Sequence, residues 1–266
     1  MESSHKNRWI TALFALPLLV LLILKGGAFL FSIFLFFVSA IGFYEWQKIT
    51  DSKHYSLEKF RNIPFFLIPV LYFSSFFSIS VHILFAIFSI GIVLFFLLKS
   101  FDGTEAHFKG SLYTLSGFIY TSFFLSFASR IMIETGPRGV FFLLIAVFAS
   151  DTGAFYAGRK FGKNKLMENV SPKKTIEGFV GGFFLSVLAA VICRFLFFQE
   201  LPFVNALFCG LCAGAIVPLG DLFESMTKRV FGIKDSGNIL PGHGGILDRV
   251  DGLLFAVPVF YILYIF

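Results

Sequence analysis

The densest group of charged and flexible residues lies at positions 225–251, in the sequence SMTKRVFGIKDSGNILPGHGGILDRVD. Asp248 and Asp251 are three residues apart, which places both carboxylates on one face of a starting helix. Two carboxylates so close repel each other unless a proton or a cation lies between them. Mg²⁺ binds carboxylate and phosphate oxygens together, so the pair indicates a cation-dependent phosphate site. The same segment supplies three cations, Lys228, Arg229 and Lys234.

A short glycine-rich loop precedes the two aspartates, with the sequence Pro-Gly-His-Gly-Gly at positions 241–245. Glycine adopts positive φ at little cost, so such a loop can bring backbone N–H groups close to a bound anion. The predicted anion contacts are Gly242, His243, Gly244 and Gly245. A histidine between glycines is more often a hydrogen-bonded loop residue than a proton donor, and both readings of His243 stay open.

Two further aspartates occur in apolar surroundings. Asp221 directly follows one apolar segment, and Asp151 lies inside another. Helix capping, with Arg249 as a surface ion partner, would explain Asp248 and Asp251 without any function. That alternative does not explain Asp151 and Asp221, because an ionised carboxylate within a membrane span is costly and marks a functional site by default. The four aspartates together favour a site.

A second cationic motif reads Ser171-Pro172-Lys173-Lys174-Thr175. Ser171 and Pro172 are typical of the N-cap and first position of a helix. Lysines in a first turn oppose the helix dipole, and a phosphate bound at that N-terminus would reverse the penalty. The alternative is a cluster of basic residues that meets anionic lipid head groups.

Composition places the chain in a membrane. Of its 266 residues, 57% are hydrophobic and only 14% are charged, whereas a soluble domain has about a quarter charged residues. The net charge of +6 is better explained by cytoplasmic loops than by nucleic-acid binding, which we do not expect. Cys209 and Cys212 have a C-x-x-C spacing, but they lie inside an apolar segment and are interpreted as small packing residues.

The hydrophobic pattern predicts an all-α, polytopic integral membrane protein with about nine transmembrane helices. With a cytoplasmic N-terminus, 18 of the 22 lysines and arginines fall on the cytoplasmic side, as the positive-inside rule requires. We therefore expect a multi-pass protein of the inner (plasma) membrane with its site on the cytoplasmic face. The nine predicted spans are 9–24, 29–44, 64–79, 81–98, 112–127, 140–157, 176–198, 203–220 and 250–266.

Polar residues divide the chain into two parts. Residues 1–130 are predicted to be a hydrophobic transmembrane scaffold, because their loops carry ordinary mixed charge. Residues 131–266 are predicted to be the catalytic region, with cytoplasmic loops 158–175 and 221–249 facing one compartment. Phosphoryl or nucleotidyl transfer requires charge neutralisation and positioning more than a covalent catalyst, and these two loops supply carboxylates and cations for it.

The segment at positions 225–251 resembles the signature of the phosphatidate cytidylyltransferases, also called CDP-diacylglycerol synthases. The resemblance covers residues 140–260 well, including Asp151-Thr152-Gly153-Ala154 and the motif at 171–175. Thr227 and Gly252 depart from the usual pattern without removing a charge. The matching signature residues are Ser225, Lys228, Arg229, Lys234, Asp235, Gly237, Pro241, His243, Gly244, Gly245, Asp248, Arg249 and Asp251.

The resemblance implies the reaction of CTP with phosphatidic acid to give CDP-diacylglycerol and pyrophosphate, with Mg²⁺ required. It also implies a homodimer embedded among membrane lipids. The implied catalytic residues are Asp248, Asp251, Lys228 and Arg229. The implied metal ligands are Asp221, Asp248 and Asp251. The implied substrate-binding residues are Ser171, Lys173, Lys174, Lys234, Gly242, His243, Gly244, Gly245 and Arg249.

Two other functions remain as alternatives. One is a related CTP-dependent membrane transferase that acts on another lipid, such as an isoprenoid alcohol or an archaeal ether lipid. The other is a transporter with Asp151 and Asp221 in an ion path, which predicts charges near the middle of several spans and related halves. The charges instead cluster at the cytoplasmic ends of the spans, so the transporter is the weaker alternative.

Overall fold

The computed structural model describes residues 2–50, 60–239 and 244–265, with the side chains of residues 2–12, 14 and 265 left outside that description. The predicted all-α class is confirmed: helices make up most of these residues, and two short strands pair as one antiparallel hairpin. The elements are α1 (Glu2–Lys25), α2 (Gly27–Thr50), α3 (Ile63–Ser74), α4 (Ile79–Ser100), α5 (Glu105–Phe118), a π-helical turn (Ile119–Phe123), α6 (Phe124–Phe161), β1 (Lys165–Met167), β2 (Ser171–Thr175), α7 (Ile176–Leu196), α8 (Phe203–Val230) and α9 (Leu247–Ile265).

Five helical segments are long and apolar enough to cross a membrane, by length and composition within the described ranges. They are Gly27–Thr50, Ile79–Ser100, Glu105–Phe161, Ile176–Leu196 and Phe203–Val230. The chain is therefore a multi-pass membrane protein, while the predicted number of nine spans is not confirmed. The predicted spans 112–127 and 140–157 both fall within the 57-residue stretch Glu105–Phe161, which breaks at Gly136 with a φ of 62° before Pro137. Shorter apolar helices, Ala15–Lys25 and Ile63–Ser74, correspond to two other predicted spans.

The chain divides into two compact units. Unit 1 contains Met1–Ile133 and Phe231–Arg249, and unit 2 contains Glu134–Val230 and Val250–Phe266. This division reflects backbone packing and not function. The boundary between scaffold and catalytic region at residue 130 therefore stays a prediction.

Unit 1 is a helical bundle with an aromatic core. Phe43, Trp46 and Phe118 are fully buried, and the Trp46 indole donates a hydrogen bond to the Tyr113 carbonyl at 2.8 Å. A Cβ at Gly117 would collide with the Trp46 ring, so α2 and α5 approach closely only because that residue is glycine. This packing fixes the C-terminal end of α2, which carries a buried glutamate described below.

Unit 2 is held together by small residues. A Cβ at Gly214 of α8 would lie 2.6 Å from the Phe183 Cα of α7, and a Cβ at Gly210 would lie 2.7 Å from the Val187 Cα. Small residues let membrane helices pack backbone to backbone, where dispersion forces replace the hydrophobic effect. The helices that carry the site residues of unit 2 are therefore fixed at short range.

The outer surface carries large apolar side chains. Phe66 is 76% exposed and Leu196 is 73% exposed. Side chains of this kind at such exposure are unsuited to water and suited to acyl chains. Their abundance agrees with the membrane assignment made from composition.

Candidate functional site

The first pair of site residues lies in unit 2, where β2 meets α8. The Lys174 ammonium is 2.7 Å from Asp221 Oδ2, and Ser225 donates a hydrogen bond to Asp221 Oδ1 at 3.1 Å. The Lys174 side chain is 24% exposed and that of Asp221 is 39% exposed, so the pair is partly open to a ligand. The structure thus brings together two predicted site residues that are 47 positions apart in the sequence.

The local structure around Lys174 differs from the sequence-based prediction. Ser171 and Pro172 were expected to start a helix, but they belong to β2, and α7 begins at Ile176. The N-cap is Thr175, whose hydroxyl accepts a hydrogen bond from the Gly178 N–H at 3.1 Å. The lysines therefore precede the helix on an extended segment, which removes the conflict with the helix dipole that had suggested a phosphate at its N-terminus.

Asp221 also interacts electrostatically with two other aspartates of unit 2. Its charge acts on Asp151 in α6 and on Asp251 in α9. Lys174 acts on Asp151 with the opposite sign. Three aspartates from three helices thus share one electrostatic environment with one lysine, as the predicted convergence of separate acidic segments requires.

A second acidic pair adjoins this group. Asp251 interacts with the carboxyl group of Glu224, which is fully buried, and the Lys228 ammonium lies 3.1 Å from Glu224 Oε2. Two carboxyl groups in contact need a proton or a cation between them. Lys228, predicted to be catalytic, therefore neutralises acidic side chains within unit 2.

Glycines explain why these carboxylates are near one another. A Cβ at Gly220 would collide with the Asp251 carbonyl oxygen, so α8 and α9 touch at the residue before Asp221. A Cβ at Gly153 would lie 2.6 Å from the Gly181 carbonyl oxygen, so α6 and α7 touch two residues after Asp151. Glycine beside each aspartate is thus required by helix packing.

The acidic group of unit 2 has the donor chemistry of a Mg²⁺ site. Mg²⁺ is typically held by one or two carboxylates, with substrate phosphates and water completing its shell. Among the residues that the structure describes, no three His, Cys, Asp or Glu side chains gather in metal-ligating geometry. Asp221 and Asp251 therefore fit an ion shared with a phosphate better than a cage built from protein ligands alone.

The glycine-rich loop and Asp248 lie in unit 1 and form a different arrangement. Asp248 Oδ2 accepts hydrogen bonds from the Ser236 N–H at 3.0 Å, the Ser236 hydroxyl at 2.9 Å and the Gly245 N–H at 2.9 Å. Gly244 has the expected positive φ, 84°, and a Cβ there would lie 2.8 Å from Asp248 Oδ2. Asp248 thus holds Ser236 and Gly245 close to each other.

A residue that the sequence did not suggest completes this arrangement. Glu45 of α2 is 1% exposed, and its carboxylate accepts hydrogen bonds from the Ile246 N–H at 3.1 Å and the Leu247 N–H at 2.8 Å. The Ser236 hydroxyl lies 3.3 Å from the same carboxylate. Its position in Phe-Tyr-Glu-Trp, at the end of an apolar segment, was the available signal, because a carboxylate beside a span is costly unless it has partners.

The other predicted site residues are placed as follows. Lys173, Lys234 and Arg249 are exposed, and Ser171 is half-buried. Arg229 is exposed and donates from Nε to the Val170 carbonyl at 3.4 Å, which attaches it to the hairpin of unit 2. Gly242 and His243 lie outside the described residues. The binding roles of these side chains and of Gly244 stay predictions, and the Gly245 N–H is engaged by Asp248.

Comparison with known proteins gives the same family as the motifs. Similar proteins are the phosphatidate cytidylyltransferases of Bacillus subtilis (41% identical over 134 residues, half of each chain) and Thermotoga maritima (41% over 155 residues, 55% of this chain and 56% of the other). That of Staphylococcus aureus strain COL is 45% identical over 137 residues, 50% of this chain and 52% of the other. The chain thus spans about half the length of these relatives. The cytidylyltransferase family model matches residues 6–266, so the chain belongs to that family.

Proposed function

We propose that the protein is a phosphatidate cytidylyltransferase, which joins CTP and phosphatidic acid to give CDP-diacylglycerol and pyrophosphate. One observation supports this most directly: Asp221 is paired with Lys174 and shares its electrostatic environment with Asp151 and Asp251. Family membership directs that chemistry to CTP, and the similar proteins carry the name of this activity.

In the proposed reaction, a phosphatidate oxygen attacks the α-phosphorus of CTP. The new P–O bond forms as the bond between the α-phosphorus and the α–β bridging oxygen breaks, and pyrophosphate leaves. The phosphatidate oxygen is already ionised near neutral pH, so the step needs no general base. What the protein must supply is alignment and compensation of negative charge.

We assign charge compensation to the residues of unit 2. Asp221 and Asp251 would hold Mg²⁺, which when bound neutralises phosphate charge and polarises the phosphorus that is attacked. Lys174, which is partly exposed beside Asp221, would donate to a phosphate oxygen of the substrate. Lys228 would keep the Glu224–Asp251 pair compatible with one bound cation. The roles of Asp248 as a third metal ligand and of Arg229 as a catalytic residue stay predictions.

The test is Mg²⁺-dependent turnover by purified protein in detergent, with radiolabelled CTP and a panel of lipids. We expect labelled CDP-diacylglycerol and pyrophosphate in equal amounts from phosphatidate. A product only from an isoprenoid alcohol or an archaeal ether lipid would establish the related transferase instead. No labelled lipid from any member of the panel would refute the proposed function.

We further propose that the site faces the cytoplasm from the inner membrane, with a cytoplasmic N-terminus. The exposed hairpin of β1 and β2 and its flanking basic residues support this orientation through the positive-inside rule. A Lys163→Cys variant should react with an impermeant maleimide only after cells are permeabilised. Labelling of intact cells would reverse the orientation.

We also propose a homodimer, which rests on the resemblance to the family. The described residues expose many large apolar side chains that lipid or a second copy could cover. Light scattering of the detergent-solubilised protein, corrected for bound detergent, should give twice the chain mass of 29.8 kDa. A mass of one chain at working concentrations would contradict the dimer.

A further inference from the structure

We propose that Glu45 is a positioning residue of the catalytic signature: its buried carboxylate holds the start of α9 and the residues around Ser236, and so sets the position of Asp248. This inference rests on the proposed function. Glu45 lies some 200 positions before the residues it contacts, in the part of the chain whose sequence indicated only scaffold. It is 1% exposed, so it acts through other residues and does not touch substrate.

Glu45 binds the backbone at the start of α9. Its two carboxylate oxygens accept the backbone N–H groups of Ile246 and Leu247, which belong to the free N–H groups at the beginning of α9. A negative charge at that position also compensates the positive end of the helix dipole. Glu45 therefore defines where α9 starts, one residue before Asp248.

Ser236 links Glu45 to Asp248. Its hydroxyl lies 2.9 Å from Asp248 Oδ2 and 3.3 Å from Glu45 Oε2, and its single proton can serve only one of them at a time. The shorter distance assigns the proton to Asp248. The two carboxylates are thus connected through the Ser236 hydroxyl. A change at Glu45 therefore alters the position of Ser236, which orients Asp248.

Two signature glycines are shaped to this carboxylate. A Cβ at Gly237 would lie 2.5 Å from Glu45 Oε1, and a Cβ at Gly245 would lie 2.6 Å from Glu45 Oε2. Neither glycine has a positive φ, so neither is required by the backbone conformation. The close approach of Glu45 explains Gly237, and Glu45 together with the nearer Ser236 hydroxyl explains Gly245. A residue outside the signature therefore limits which side chains fit within it.

The test compares Glu45→Gln with a matched control, Glu134→Gln. The amide keeps one acceptor, and it turns an NH₂ group towards donors that need an oxygen. Glu134 accepts a hydrogen bond from the Tyr261 hydroxyl at 2.7 Å and lies outside the signature sequence, so its amide variant makes the same chemical change at an unrelated carboxylate. Asp251, a proposed Mg²⁺ ligand, lies about one turn after the start of α9 that Glu45 holds. Substitution of residues that orient metal ligands typically lowers metal affinity or activity about 10–100-fold.

The decisive readout is the Mg²⁺ concentration that gives half-maximal turnover with CTP and phosphatidate. Loss of folded protein lowers the maximal rate but leaves this concentration unchanged, so a merely structural role would not move it. We expect Glu45→Gln to raise it about 10-fold, and Glu134→Gln to leave it at the parental value. A parental value in Glu45→Gln, at any maximal rate, would overturn the proposal.

A second variant decides the case if Glu45→Gln has no activity. Gly237→Ala keeps the carboxylate but pushes a methyl group against it, whereas Gly91→Ala in α4 adds a methyl group with nothing within 4 Å. We expect Gly237→Ala to raise the half-maximal Mg²⁺ concentration and Gly91→Ala to leave it unchanged. Equal values for both would refute the role of Glu45. Absence of CDP-lipid with the parental protein would instead refute the proposed function on which the inference depends.

Discussion

The two units use carboxylates in opposite ways. In unit 1, the carboxylates accept hydrogen bonds from their own chain: Asp248 accepts three, and Glu45 accepts two from backbone N–H groups. In unit 2, Asp221 faces Asp151 and Asp251, and Asp251 faces Glu224, with lysines as the balancing charges.

This difference separates two functions of an acidic side chain. A carboxylate that accepts several hydrogen bonds is stable as an anion and fixes the backbone that donates to it. Carboxylates that face one another repel, and a cation lowers their energy. The first arrangement therefore indicates positioning and the second indicates cation binding, although Asp248 and Asp251 are only three residues apart in the sequence.

The largest effect that tests this comparison is expected from Asp251→Asn. Removing one of the repelling carboxylates removes a proposed Mg²⁺ ligand, and we expect turnover to fall at least about 100-fold, roughly 2.7 kcal/mol in the barrier. The amide can still accept the Gly252 N–H bond and no longer repels the buried Glu224 carboxylate. The thermal midpoint measured in EDTA should therefore stay at the parental value or rise.

Asp102→Asn is the matched control for that substitution. Asp102 is an exposed carboxylate in the loop before α5, and hydrogen bonds from Thr104 hold its pKa below the usual range. We expect parental turnover from Asp102→Asn. Parental turnover from Asp251→Asn as well would remove the basis for the proposed cation site.

A smaller effect is expected from Lys174→Ala. The alanine leaves Asp221 without its 2.7 Å partner, so repulsion within the acidic group increases. We expect turnover to fall about 10-fold and the thermal midpoint in EDTA to fall, and added Mg²⁺ should restore more of the midpoint than in the parental protein. Turnover and thermal scans with and without Mg²⁺ measure both quantities.

Lys165→Ala provides the control within the same hairpin. The Lys165 ammonium donates to the Pro172 carbonyl at 2.6 Å and pairs with no carboxylate in the part of the chain that the structure describes. Its loss should leave the response of the thermal midpoint to Mg²⁺ unchanged. If both lysine variants gained equally from Mg²⁺, the ion would be acting on the hairpin as a whole and not through Asp221.

Asp248→Asn should shift the thermal midpoint in the opposite direction to Asp251→Asn, and so distinguish the functions of the two carboxylates. The amide replaces an acceptor of three hydrogen bonds, and leaving a buried donor without its acceptor costs about 1–3 kcal/mol. We expect a lower thermal midpoint in EDTA, opposite to Asp251→Asn, together with reduced turnover. Equal shifts of the midpoint in the two variants would mean that the two carboxylates do not differ in function.

Much of the fold and part of the site could be predicted from the sequence. Long apolar runs predict helices because a membrane leaves few other ways to satisfy the hydrogen-bonding groups of the backbone. The charged residues near the ends of these runs marked Asp221 and Lys174 as candidate site residues. The short-range packing that makes them neighbours in space depends on which glycine meets which backbone, as at Gly214 and Phe183. A single sequence does not specify that pairing.

Two features were missed for identifiable reasons. Ser-Pro is compatible with both a helix start and an extended strand, and the competing N-cap, Thr175, decided between them through its bond to Gly178. Glu45 was missed because its partners lie about 200 residues away, where no local pattern reports them. A glutamate among aromatic residues at the end of a span was the signal, and its partner could come only from the structure.

The smallest effect is expected from Arg138→Ala. This variant tests whether the loss of any pair between a cation and a carboxylate lowers turnover. Arg138 is hydrogen-bonded to Glu200 in unit 2, but both side chains are more than half exposed, and no second carboxylate of the described residues acts on Glu200. The backbone N–H of Glu200, together with Arg138, lowers the pKa of that carboxyl. A carboxyl whose pKa is lowered on folding stabilises the protein at pH values above its unfolded-state pKa, about 4.3. That stabilisation disappears as the pH falls through the folded-state pKa.

Thermal scans of Arg138→Ala should therefore show at most a slight decrease of the thermal midpoint at neutral pH, which vanishes in acid and in high salt, and turnover should stay parental. If Arg138→Ala reduced turnover as much as Lys174→Ala, pairing alone would explain the lysine effect, and the repulsion among Asp151, Asp221 and Asp251 would no longer distinguish unit 2 as the place where the cation binds.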